Sequence, residues 1–138
     1  MVYISRKEHF NAAHRLFNPN WTDEQNRAVF GLCANPNGHG HNFDLIVTVK
    51  GEPHPDTGFV MDLKMLANVI KHEIIDELDH KNINLDVPFM QGKMASCEIL
   101  VAEIWKRLDA ALAPLTEARL HQIRLFETER NFVDFYGE

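Results

Sequence analysis

Residues 33–43 read Cys-Ala-Asn-Pro-Asn-Gly-His-Gly-His-Asn-Phe, with two imidazoles two positions apart, glycines flanking the first, and a thiol six residues upstream of it. On a β-strand, side chains at i and i+2 project from one face. His39 and His41 can therefore converge on one divalent ion, with Gly38 and Gly40 leaving room around them. Catalytic zinc sites take three protein ligands and keep a fourth position open. The segment Val2–His14 places Phe10, Ala12 and His14 on one parity, so His14 is the natural third ligand if that strand neighbours the first. Ordinary hydrogen-bonded histidines are the competing reading. The His-x-His spacing, the glycines and the third imidazole favour a metal.

Three further residue groups suit chemistry at such a centre. Cys33 lies in a loop just before the metal strand, where a cation or imidazole would acidify its thiol into a base or nucleophile. A closed, inert site of Cys33 and three histidines is the alternative. Asp79-His80 follow a helix end. A protonated His is stabilised there by the helix dipole, and an Asp-oriented imidazole is equally a proton shuttle. Glu127 shares the parity of the apolar Ile123 and Leu125. A carboxylate there is costly unless paired, and either a strand-end salt bridge or a ligand with adjacent N–H donors would satisfy it.

The alternation of residues 2–14 and 39–51 predicts two strands joined by a long irregular connection, with Asn-Pro and Asn-Gly as turn signals. Asp62 is a plausible N-cap for a helix whose apolar stripe is Leu63, Leu66, Ile70, Ile74 and Leu78. Residues 79–96 read as irregular. A second helix starts near Cys97 and Glu98, turns Val101, Ile104, Trp105, Leu108 and Leu112 inward, and ends at Pro114. Ala118–Thr128 and Asn131–Gly137 alternate like a final hairpin. The expected fold class is α+β, in the order β-β-α-α-β-β: a four-stranded antiparallel sheet with two helices on one face. The other sheet face is left uncovered, which points to oligomerisation through that face or the sheet edges.

The 138 residues fit one domain, 1–138. Fourteen Lys and Arg against twenty Asp and Glu give a net charge of −6, which excludes a broad nucleic-acid footprint but not a local anion site. No apolar run approaches the ~18–20 residues of a membrane span, and the start carries charges by position 6. A cytoplasmic enzyme or binding protein is the expectation. Two cysteines are too few for a disulfide framework.

Taken together and in order, "FNAAH", "CANPNGHGHNF", "DTGFVMDL", "LDHKNIN", "CEILVAEIW", "FETERN" and "YGE" resemble the 6-pyruvoyl-tetrahydropterin synthase family over nearly the whole chain. The resemblance implies the tunnelling fold (T-fold), a homohexamer built as a dimer of trimers with active sites between subunits. It implies Zn²⁺ on His14, His39 and His41, and a Cys33-Asp79-His80 relay. Glu127 would anchor the pterin, with Ser96, Cys97 and Glu98 bordering it. The implied substrate is a small molecule, 7,8-dihydroneopterin triphosphate, which loses triphosphate as its side chain rearranges by internal redox. Arg15, Lys81 and Arg130 are candidates for the triphosphate. The family pattern Pro-Thr-Ser/Thr-Glu is here Ala95-Ser96-Cys97-Glu98, so one hydroxyl is replaced by a thiol. The similar 6-carboxy-tetrahydropterin synthases of the queuosine pathway use the same substrate but typically have three residues between Cys and His-Gly-His. Five intervene here, Ala34 to Gly38, as in the pyruvoyl-forming enzymes. A catalytically idle pterin- or metal-binding protein would need neither Cys33 nor Asp79-His80.

Overall fold

The computed structural model describes residues 1–138. Its frame is the strand pair β1 (Val2–His14) and β2 (His39–Gly51), antiparallel along their whole lengths. The register sets His14 opposite His39 and Ala12 opposite His41. Strand β4 (Arg119–Phe126) adds to β2, and β5 (Phe132–Phe135) adds to β4, both antiparallel.

The sheet has five strands, not the expected four, in the order β3-β1-β2-β4-β5. The additional β3 (Lys81–Asn82) pairs in parallel with Ala12 and Ala13 of β1. Two residues carry no readable alternation, and only the pairing partner makes them a strand. The α+β class and the helices on one sheet face are as expected.

The connection after β1 is not wholly irregular. It contains α1 (Asp23–Phe30) and a 3₁₀ turn, Gly31–Ala34, that carries Cys33. Helix α1 is nucleated by a capping box. Thr22 Oγ1 accepts from the Gln25 N–H at 3.2 Å, and Gln25 Oε1 accepts from the Thr22 N–H at 2.9 Å.

Asp62 caps α2 (Leu63–Ile70), its carboxylate accepting from the Lys64 N–H at 2.8 Å. The helical run continues through a π turn, Lys71–Ile75, into the short α3 (Asp76–Leu78). Arg107 supports the widened turn, donating from Nε to the Glu73 carbonyl at 3.0 Å. Leu66, Ile70, Ile74 and Leu78 are fully buried as expected, whereas Leu63, in the first turn, is exposed. Helix α4 (Cys97–Leu112) packs across β4 and β5 with Val101, Ile104, Leu108 and Leu112 inward; Trp105 is half-buried at its edge.

These helices cover the sheet face formed by Phe10, Ala12, Phe43, Leu45, Val47, Val49, Ile123 and Leu125. The opposite face is largely polar, with Ile46 and the Phe126–Phe132 pair as its apolar spots. Ser5 bonds Thr48 at 2.7 Å, His9 meets Asp44 at 3.1 Å, and Arg124 holds Asp134 through two contacts of 2.7 and 2.8 Å. Such cross-strand pairs stabilise an uncovered sheet face without an apolar layer.

Candidate metal centre and active site

His14, His39 and His41 meet where β1 ends and β2 begins, on the helix-covered side of the sheet. Their ring centroids form a near-equilateral triangle, with sides of 4.6, 5.1 and 4.8 Å. Register explains this. Directly opposed residues of an antiparallel pair lie about 5 Å apart at Cβ, so His14 and His39 touch, while the small Ala12 opposite His41 leaves space for its ring. Phe43 lies beneath His41 and His14, with centroids at 5.7 and 6.2 Å, and stacks on Phe10 at 4.8 Å. Gly38 permits the approach. Its φ is +73°, and a Cβ there would fall 2.9 Å from the His14 carbonyl oxygen. Gly40 is different: its nearest neighbour would be 3.8 Å away, ordinary contact.

Glu127, just past β4, completes the group. One donor atom from each of His14, His39, His41 and Glu127 lies within 4.8 Å of all the others. Glu127 Oε1 is 3.0 Å from His41 Nε2 and 3.5 Å from His14 Nε2, but neither approach lines up as a hydrogen bond. His14 Nε2, both nitrogens of His39 and His41 Nε2 are buried without any hydrogen-bond partner. Buried polar atoms of this kind are rare in folded proteins, and four on converging imidazoles fit a cation. The His14 tautomer is set for the task. Its Nδ1 lies 2.7 Å from the Ala95 carbonyl, which can only accept, so Nδ1 keeps the proton and Nε2 presents a lone pair. Burial holds all three imidazoles below their usual pKa, favouring the neutral, ligating form.

Cys97 Sγ donates to Glu127 Oε2 at 3.4 Å from the first residue of α4. Burial, and then the neighbouring Glu127 carboxylate, push that thiol far above its ordinary pKa, so it stays protonated. Ser96 is the N-cap of α4, accepting from the Ile99 N–H at 3.3 Å, and Glu98 stands exposed in the first helical turn.

Cys33 lies outside this cluster and makes no side-chain hydrogen bond within the chain. Its carbonyl accepts from the Leu16 N–H at 2.8 Å, and the Arg15 Nε donates to Ala34 at 2.9 Å, which ties the cysteine's turn to the end of β1. The group of side chains close enough to share an ion is His14, His39, His41 and Glu127, without Cys33.

Asp79 and His80 form a separate corner between α3 and β3. Asp79 Oδ1 accepts from the Asn11 N–H at 2.9 Å, and Oδ2 lies 2.9 Å from His80 Nδ1. The Asn11 N–H, and then His80, hold the Asp79 carboxyl below the usual carboxylate range. His80 is the one non-glycine residue with positive φ, +61°, and its side chain is 78% exposed. The left-handed residue turns the chain from α3 into β3, where the His80 N–H donates to the Asn11 carbonyl at 2.6 Å. His80 and His41 line the same open depression, with Lys81, Asn11 and Asn82. Arg15 lines a different cavity with Lys93 and Gly38, and Arg130 sits in the exposed β4–β5 turn. Ala95 and Asn11, the two residues that orient His14 and Asp79, carry no sequence signal, because both act through main-chain atoms on distant segments.

Comparison with known proteins agrees with this geometry. The family model described as 6-pyruvoyl tetrahydropterin synthase matches residues 3–138. The 6-pyruvoyl tetrahydrobiopterin synthase of Pongo abelii is 42% identical over 98% of this chain and 91% of its own length. The Homo sapiens protein of that name is 41% identical over the same shares. The solved structure of the Caenorhabditis elegans 6-pyruvoyl tetrahydropterin synthase superposes with a TM-score of 0.91 at 32% identity, covering 99% of this chain and 96% of that one. The chain belongs to the 6-pyruvoyl tetrahydropterin synthase family.

Proposed function

We propose that this chain is a zinc-dependent lyase that converts 7,8-dihydroneopterin triphosphate to 6-pyruvoyl-tetrahydropterin with loss of triphosphate. The observation that carries the reading is the triangle of imidazoles with unpartnered buried nitrogens in a chain of this family. His14, His39 and His41 would hold the ion. When bound, zinc supplies Lewis acidity toward the side-chain hydroxyls of the substrate and acidifies the adjacent C–H.

The remaining work falls to the protein. Glu127 accepts hydrogen bonds from the pterin's 2-amino and ring N–H groups, beside Ser96 and Glu98, so the reacting carbons are fixed by positioning. Cys33, as thiolate, takes the C–H proton. His80, held by Asp79, returns a proton to the rearranging side chain, its exposed ring open to substrate and solvent. The side chain is oxidised at one carbon while the ring is reduced, so no external electron carrier takes part. Cys33 and the Asp79–His80 pair come from separate segments. The reading joins them across subunits of a cytoplasmic homohexamer, with Lys81 and Arg15 as candidates for the triphosphate.

The test is incubation of the purified, zinc-loaded protein with dihydroneopterin triphosphate and identification of the product by mass. A pyruvoyl pterin is expected. A carboxy pterin with acetaldehyde would replace this reading with the queuosine-type reaction, and no conversion would leave a binding protein. Sedimentation at several concentrations tests the hexamer.

A further inference from the structure

Glu127 is the one carboxylate in the imidazole cluster, and its two oxygens face different neighbours. Oε1 lies against His41 and His14. Oε2 lies 3.4 Å from Cys97 Sγ. A carboxylate only accepts, so the hydrogen in that contact belongs to the thiol. Cys97 is itself immobile: 6% exposed, part of the core, and fixed at the start of α4 by the Ser96 cap. His14 is 1% exposed, and its unpartnered Nε2 presents a lone pair 3.5 Å from Oε1, so it gives the carboxylate no hydrogen bond to hold it in place.

We propose that Cys97 is a positioning residue that tethers Glu127 through Oε2, fixing the rotation at which the carboxylate is presented to the pterin ring. The inference rests on the reading of Glu127 as the ring anchor, and it assigns Cys97 a task other than contact with substrate. A sulfur donor also sets a longer span than a hydroxyl would. An O–H···O contact runs about 2.7–2.8 Å, shorter than the 3.4 Å of this S–H···O contact.

Two measurements test this. In a Cys33→Ala background Cys97 is the only thiol in the chain, and its S–H stretch can be read by infrared spectroscopy. A donating thiol absorbs at lowered frequency, and Glu127→Gln, a weaker acceptor, is expected to raise it. A frequency indifferent to Glu127→Gln overturns the tether. In the otherwise unaltered chain, Cys97→Ala is expected to raise KM for dihydroneopterin triphosphate roughly tenfold, the scale of one hydrogen bond to a charged group, with kcat within about threefold. Cys97→Ser restores a donor and is expected to bring KM back to within about threefold of the parent. Equal KM in the parent and Cys97→Ala, or no recovery in Cys97→Ser, overturns the proposal. A parent that converts no substrate defeats the proposed function instead, and the infrared result still decides the tether.

Discussion

Two of the histidine-bearing regions of this chain use the same side chain in opposite ways. At the junction of β1 and β2, three imidazoles are buried or half-buried, face one another, and carry nitrogens without partners. At the α3–β3 corner, His80 is exposed, stands in a left-handed conformation, and has its Nδ1 engaged by Asp79 at 2.9 Å. Burial and convergence favour neutral imidazoles that bind a cation. An exposed imidazole beside a carboxylate is instead oriented by it and open to substrate and solvent. Environment, not residue type, sets the two groups apart.

The sharpest way to break this contrast is to remove a convergent imidazole. His41→Ala is expected to abolish stoichiometric zinc binding and lower turnover by on the order of 10³-fold or more, since a Lewis acid contributes several kcal/mol; metal analysis and initial rates read both. Cys33→Ala is expected to cost about 10²–10⁴-fold in kcat, the range of general acid–base catalysis, while zinc content stays unchanged. Loss of zinc in that variant would make Cys33 a ligand and collapse the distinction between centre and relay. His80→Gly is expected to lower turnover by roughly 10–100-fold yet raise stability by about 0.5–1 kcal/mol, because glycine accepts the +61° φ without strain. A destabilised variant would mean the corner is structural.

Two smaller effects sharpen the buried side. Gly38→Ala is expected to destabilise by about 1–3 kcal/mol in denaturant titration, through its φ of +73° and the His14 carbonyl that a Cβ would strike, whereas Gly40→Ala changes stability by no more than about 0.5 kcal/mol. In the metal-free protein, burial lowers the pKa of His14, His39 and His41, so the unfolded chain takes up protons first as pH falls. Their contribution is full above the ordinary histidine value of about 6.5 and is lost as pH falls below it toward the folded values. Thermal unfolding of the metal-free protein at about pH 7.5 and pH 5.5 should show a lower Tm at the acid value, and zinc affinity should fall in the same direction. A flat profile would show that burial does not disfavour the charged form of these three imidazoles.

Much of the frame was legible because it repeats a period. The alternation of β1 and β2, the stripe Leu66, Ile70, Ile74 and Leu78, and the inward residues of α4 each extend over several turns or pleats, long enough for burial to impose a pattern. Leu63 broke its stripe because a first-turn residue lies at the rim of the core. Helix α1 was missed although Thr22 and Gln25 spell its capping box, because the turn signals that follow dominated the segment. Strand β3 was beyond reach, since two residues have no period and gain their strand geometry from β1.

Residue types and spacing along the chain supply the atoms: the His-x-His pair, a third imidazole of matching parity, a thiol upstream and a carboxylate at a strand end. Their placement relative to one another comes from contacts between distant segments. The β1–β2 register put His14 opposite His39, the distant Ala95 carbonyl chose the His14 tautomer, and the start of α4 brought Cys97 to Glu127. Each of these joins segments far apart in the chain, and such contacts exist only when the core has brought two backbones to hydrogen-bonding distance.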